Sequence, residues 1–251
     1  MPAREPADYA AVTDWLFAQK ARGTKFGVDR MATLAAALGH PERAVPCLHV
    51  AGTNGKGSVA AMLDAILHAA GWRTGLYTSP HLVRFTERVK IADEEIASGS
   101  IADAVERVLA APGGDVLTFF EVVTAAAFLV FAEAGIDVAV VECGLGGRLD
   151  ATSTCAAAVT AITRVAMDHA EVLGDTEELI AFEKAGIARP GVPLLVGPLG
   201  PGPRAVIDAH AQKIGAPVKL TIYPGVGHDS WTQTYDNPEF WSWLFAQKRG
   251  E

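Results

Sequence analysis

The chain has 251 residues, half of them hydrophobic and a fifth charged, which suits an α/β protein with a substantial core in one large or two small domains. A formal net charge of −8 argues against a nucleic-acid-binding surface, which needs clustered Lys and Arg, but leaves room for a small basic site. Cys47, Cys143 and Cys155 are odd in number and lack metal-ligand spacing, the first residues have no apolar run, and the most apolar window, 122–132, is too short to span a bilayer. Free thiols and a cytoplasmic location are therefore expected, with no membrane partner.

In chain order, helices are predicted around 15–17 and over 30–38, then a strand at 44–50 running into a glycine-rich loop. A helix over 58–70 and a short strand at 74–77 follow. Residues 78–97 carry few regular signals and read as a site loop with a hairpin near 87–91. Helices at 98–111 and 118–134 precede a buried strand, 137–142, which ends in Gly144-Leu-Gly-Gly. A strand at 157–163, a helix at 176–188, a strand at 193–196 and a helix at 203–213 complete the alternation. The expected fold class is α/β, a mostly parallel sheet with helices on both faces. In such sheets ligands sit beyond the carboxyl ends of the strands, and segments 52–58, 142–150 and 163–169 all fall there. The run 198–203, Pro-Leu-Gly-Pro-Gly-Pro, reads as a turn or linker. Trp-Leu-Phe-Ala-Gln-Lys occurs at 15–20 and again at 243–248, too short a match to be a structural repeat.

The loop 49–58, His-Val-Ala-Gly-Thr-Asn-Gly-Lys-Gly-Ser, is the most informative segment. Gly52, Gly55 and Gly57 allow a tight turn and close approach, and a helix N-terminus presents N–H groups to an anion. Lys56 adds a charge, and Thr53 or Ser58 a hydroxyl near any bound magnesium, so the segment reads as a polyphosphate cradle. Its spacing departs from G-x-x-x-x-G-K-[ST], because Val50 replaces the first glycine and Gly57 follows the lysine. Glu142, at a strand end, is either capped by backbone N–H groups or holds a cation, because an unpartnered buried carboxylate is costly. His169 is either structural or a metal ligand. Ser79 is a turn hydroxyl or a third ligand, and Lys184 by default a solvated helix lysine. Ser79, Glu142 and His169 at one sheet edge fit an incompletely hydrated magnesium beside ATP.

Six segments in order resemble one known family. They are 49–58, Tyr-Thr-Ser-Pro-His-Leu-Val-Arg-Phe-Thr-Glu-Arg (77–88), Thr-Phe-Phe-Glu (118–121), Glu-Cys-Gly-Leu-Gly-Gly-Arg-Leu-Asp-Ala-Thr (142–152), Met-Asp-His (167–169) and Glu-Lys-Ala-Gly-Ile (183–187). Together they resemble the folylpolyglutamate synthase/dihydrofolate synthase family of the Mur ligase superfamily, over about residues 8–215. Ser153 departs from the asparagine usual there. The resemblance implies a P-loop-containing, Mur-ligase-like central domain with ATP and Mg2+ as cofactors. Gly52, Thr53, Asn54, Gly55, Lys56, Gly57 and Ser58 would hold the ATP phosphates, and Ser79, Glu142 and His169 one magnesium. Lys184 would be carbamylated and serve a second, and Lys56, Lys184 and His169 would carry the catalysis. Thr24, Lys25, Phe26, Thr118, Phe119, Phe120, Glu121, Leu149, Asp150 and Ala151 would contact the pterin-bearing substrate. The implied activity adds L-glutamate to dihydropteroate or folates through an acyl phosphate. The expected partners are those small molecules, with the chain a monomer.

Family members are longer and carry a second α/β domain, so an N-terminal ATP-binding domain, 1–203, followed by an atypical tail, 204–251, with impaired activity, is expected. The tail from about 217 resembles an α/β-hydrolase terminus, with His228 as the matching base, yet no G-x-S-x-G elbow occurs in the chain. An inactive ATP–Mg2+-binding fragment and, less favoured by the motifs, a hydrolase-related chimera or a P-loop kinase remain the alternatives.

Overall fold

The computed structural model describes residues 8–19, 27–218 and 236–246. Within them seven strands form one sheet, β1 (Cys47–Ala51), β2 (Thr74–Tyr77), β3 (Val89–Ile91), β4 (Glu94–Glu95), β5 (Val138–Glu142), β6 (Ala157–Ile162) and β7 (Leu194–Val196). Their spatial order is β4-β3-β2-β5-β1-β6-β7. From β2 to β7 the neighbours are parallel, whereas β3 and β4 form an antiparallel hairpin at one edge. The register pairs Val50 with Glu142, Ala51 with Ile162, Tyr77 with Val141 and Ile162 with Val196. Five carboxyl ends are thereby level, and the loops that follow them open on one side of the molecule.

Alternate strand residues face opposite sides. Val50, Leu76 and Val140 pack with Ala60 of α3 (Lys56–Ala69). On the other side Cys47, Tyr77, Ala139 and Val141 meet α1 (Tyr9–Gln19), α2 (Asp29–Ala37), α4 (Ser98–Ala110) and α5 (Phe119–Ala134). Helix α5 is buried without a break from Glu121 to Phe131, which is why its sequence shows no polar stripe. A further cluster around Ala51, Ile162 and Leu194 is closed by α7 (Glu177–Ala185) and α8 (Pro201–Ile214), with the short α6 (Ala170–Leu173) beside it. Helix α9 (Pro238–Ala246) is the last described element.

Local detail goes beyond the sequence expectation at three places. The proline-rich run at 198–203 is not wholly a linker, because Pro201 starts α8, where the missing N–H costs nothing. The β3–β4 turn places Ala92 and Asp93 at φ 51° and 66° without a glycine. Residues 204–218, assigned to the tail on sequence grounds, include Ile207 and Ala211, fully buried in the α7–α8 cluster, and Val218, bridged in parallel to Leu194. Among the described residues no helix is long and apolar enough to cross a membrane.

Candidate active site

The glycine-rich loop leaves β1 at the level sheet edge and enters α3 through Gly55, at φ 83°. No side chain caps α3, so its first-turn N–H groups stay available to an anion. Gly52, at φ 150°, passes so close to Thr163 that a Cβ would collide with its hydroxyl. The loop is latched to the segment after β6. Thr53 N–H donates to Arg164 O (2.7 Å), and the Thr163 hydroxyl to Asn54 O (2.7 Å). The Thr53 hydroxyl donates to Ala166 O and accepts from Ala166 N–H, each at 3.1 Å, so its proton and one of its two lone pairs serve the latch. Asn54, Gly55 and Ser58 are exposed, and Lys56 Nζ rests on Thr53 O at 3.2 Å.

Glu142 closes β5 beneath this loop and is 4 % exposed. Its Oε2 accepts the Ser79 N–H at 3.0 Å, and Gly57 passes close enough that a Cβ would lie 3.4 Å from the same oxygen. Burial pushes the carboxyl above its ordinary range, opposed by the Ser79 amide, Lys56 and Arg88. Oε1 accepts no hydrogen bond among the described residues. His169 has φ 48° and precedes α6, with its ring between Asp168 (3.8 Å) and Glu171 (3.6 Å). Lys184, in the last turn of α7, is 3 % exposed, and burial, reinforced by the charge of Lys56, lowers its ammonium to about 8. Lys56, His169, Lys184, Gly52 and Thr53 line one small cavity of about 40 Å³.

A larger cleft of about 440 Å³ adjoins it and shares Lys56, Gly144, Leu145 and His169 with it. Ser79, Thr118, Phe119, Phe120, Glu121, Leu149, Asp150 and Ala151 line this cleft, so two of the three segments expected at the substrate stand together. The third, Thr24 to Phe26, lies outside the described residues, as does His228; Gly27 does line the cleft. Thr118 caps α5 and forms a reciprocal box with Glu121, which places 118–121 at the mouth of the helix.

Sequence alone assigns no role to Arg88, although it ends the segment 77–88. In the structure it lines the cleft at 5 % exposure, donates to His81 Nδ1 at 2.8 Å and lies over the Phe119 ring at 5.4 Å. No carboxylate pairs with it among the described residues, and burial lowers its pKa. A buried guanidinium that faces a cleft without a salt-bridged carboxylate, its nearest acid partner being the charge of Glu142, suits an anionic ligand. The signal available was a lone arginine in a motif, which spacing cannot separate from a surface residue.

Among the described residues no three His, Cys, Asp or Glu side chains gather as a ready metal set. Glu142 Oε1, the Ser79 hydroxyl and His169 would make a partial set, which fits magnesium, an ion that keeps waters and takes phosphate oxygens as ligands. The uncapped N-terminus of α3, with Lys56 beside it and open space at Gly55, fits a polyphosphate.

A profile of the Mur ligase middle domain matches residues 50–190. The chain belongs to the Mur ligase family. Among Mur-type ligases it is 40% identical over 217 residues to the dihydrofolate synthase/folylpolyglutamate synthase of Bacillus subtilis, covering 83% of this chain and 50% of that protein. The structure of Escherichia coli FolC in complex with DHPP and ADP superposes with a TM-score of 0.77 at 40% identity, covering 82% of this chain and 50% of that one. The Yersinia pestis bifunctional folylpolyglutamate synthase/dihydrofolate synthase complexed with AMPPNP and Mn gives a TM-score of 0.78 at 38% identity, covering 87% and 53%. The chain thus spans about half the length of the curated relatives it matches.

Proposed function

We propose that this chain binds ATP with Mg2+ and activates the carboxylate of a pteridine-bearing substrate, dihydropteroate or a reduced folate, for amide formation with L-glutamate. The observation that carries this reading is that the small cavity lined by Lys56 and the phosphate loop shares Lys56, Gly144, Leu145 and His169 with the cleft lined by Arg88, Asp150, Phe119 and Phe120. The ligands named for the relatives support it.

A free carboxylate is a poor acyl donor because oxide is a poor leaving group. Transfer of the terminal phosphoryl group from ATP to the carboxylate oxygen gives an acyl phosphate and ADP. The glutamate amine then displaces inorganic phosphate and loses a proton. Phosphoryl transfer asks mainly for positioning and charge neutralisation. The N–H groups of α3 and Lys56 hold the phosphates, and Lys56 leaves Thr53 O to reach them. Arg88 meets the substrate carboxylate beside Ser79, and the aromatic rings exclude water from the reacting oxygen. Glu142, Ser79 and His169 would hold a magnesium ion, which would supply positive charge to offset that of the phosphates. Lys184, with part of its amine neutral near pH 8, meets the requirement for carbamylation.

The test is phosphate release from ATP with dihydropteroate or tetrahydrofolate plus L-glutamate, compared with either omitted. Release that depends on both supports the reading. Release indifferent to them, or no nucleotide binding, overturns it. The exposure of Asn54, Gly55 and Ser58, which leaves one side of the phosphate loop open to water, favours a second reading, nucleotide binding without turnover. That reading expects ATP–Mg2+ binding with no substrate-dependent phosphate.

A further inference from the structure

Each peptide unit of the phosphate loop carries an N–H that attracts an anion and a C=O that repels it. In a trans peptide the two point in opposite directions, so fixing one aims the other. Ser79–Pro80 is the one cis bond among the described residues, so the loop peptides are trans. A loop that binds phosphate therefore needs its carbonyls held away from the ligand.

Thr163, the residue after β6, does this at one peptide. Its hydroxyl donates to Asn54 O at 2.7 Å, with a longer second contact to Ala51 O at 3.4 Å. Both acceptors are carbonyls, so the hydroxyl is the donor in each and no protonation state enters. The backbone of Thr163 is itself anchored, since its N–H donates to Ala51 O at 2.9 Å. Gly52 leaves the space that the hydroxyl fills, because a Cβ there would collide with it. With Asn54 O drawn to Thr163, the N–H of the same peptide, that of Gly55, points to the opposite side of the loop. This N–H has no acceptor among the described residues, and the Cβ position of Gly55 has nothing within 4 Å. Gly55 is left-handed at φ 83° and Lys56 starts α3, a turn in which successive N–H groups converge.

We propose that Thr163 is a positioning residue of the nucleotide site, whose hydroxyl, by holding Asn54 O, turns the Gly55 N–H towards a phosphate oxygen of the bound nucleotide. The proposal rests on the nucleotide reading above and needs neither the metal nor the second substrate. Without the hydroxyl, water takes Asn54 O, the Asn54–Gly55 peptide is free to rotate, and its carbonyl can turn to the ligand side. Thr53 keeps its own bonds to Arg164 and Ala166, so the loop holds its course and loses only the aim of that one donor.

The experiment titrates ADP and inorganic pyrophosphate into the full chain by calorimetry and follows the Gly55 amide proton by NMR. Thr163→Val keeps the shape of the side chain and removes the donor, whereas Thr163→Ser keeps the donor. Thr163→Val is expected to weaken both ligands about five- to tenfold, and Thr163→Ser to stay within about twofold of wild type. The loss should be the same for the two ligands, because the contact is to phosphate. Pyrophosphate should move the Gly55 amide proton downfield in wild type and in Thr163→Ser, and that shift should be lost in Thr163→Val. Unchanged affinities in Thr163→Val, a Thr163→Ser variant as weak as Thr163→Val, or a wild-type Gly55 amide indifferent to pyrophosphate would each overturn the positioning role alone. Should Thr163→Val not fold, Thr163→Ala takes its place, and the wild-type amide response tests the aim of Gly55 without any substitution. A wild-type chain that binds neither ADP nor pyrophosphate overturns the nucleotide reading and this proposal together.

Discussion

Lys56 and Lys184 line the same small cavity, and the charge of the first adds to burial in holding the second at about 8. Lys184 has no hydrogen-bond or ion-pair partner among the described residues, so the fold bears the cost of an ammonium kept from water. Unfolded, Lys184 keeps its proton up to its ordinary 10.5. The unfolded state therefore binds more protons between about 8 and 10.5, and stability rises with pH across that interval. Lys184→Met should be more stable than wild type at pH 7, by on the order of 3 kcal/mol at most, with the difference shrinking towards pH 10.5. Urea midpoints at several pH values check this; a constant difference from pH 7 to 10.5 would count against it.

Gly52 has neither room nor backbone freedom for a side chain. Gly52→Ala is expected to destabilise by roughly 2–3 kcal/mol and to abolish ADP binding, because the new methyl group pushes the loop off its latch at Thr163. Thermal unfolding and ADP titration read the two effects separately. An alanine variant that binds ADP normally would show that the loop has slack.

Glu142→Gln keeps an oxygen for the Ser79 N–H and removes a buried charge. Stability should hold or rise, while the gain in ATP affinity on adding Mg2+ should fall about tenfold. Chelating the metal should bring wild type to the level of the variant. If both respond equally to Mg2+, Glu142 is not its ligand.

Arg88→Met retains an apolar stem against Phe119 and loses the cation. Affinity for dihydropteroate should fall about tenfold or more, whereas a pterin lacking the carboxylate should bind as before. Equal weakening of both ligands would place Arg88 on the ring rather than on the carboxylate.

Much of the fold is legible in the sequence, for identifiable reasons. β2 and β5 read as short apolar runs because parallel strands are covered on both faces. The start of α5 is announced by the Thr118–Glu121 capping box. β4, only Glu94 and Glu95, has no apolar face to reveal it and depends on its register with Lys90 and Ile91. In the site, Lys56, Ser79 and Glu142 lie where strand ends deliver them. The Thr53 hydroxyl was readable as a ligand, and its commitment to Ala166, 113 positions away, was not. The surroundings of Arg88 and the His49–Thr152 hydrogen bond depend on contacts between distant segments, and no local pattern encodes those.

Glu121 has both oxygens engaged. Oε2 accepts the Thr118 N–H and hydroxyl at 2.8 Å, and Oε1 holds Arg30 of α2 at 2.9–3.0 Å. One carboxylate thus sets where α5 begins, ties α2 to it and forms part of the cleft wall. A substitution there disturbs all three at once, whereas Phe119 lines the same cleft with its ring packed against Phe17, Phe85 and Arg88. Where the cleft wall changes shape, the aromatic neighbour can therefore vary while the acid beside it is held by its architectural duties.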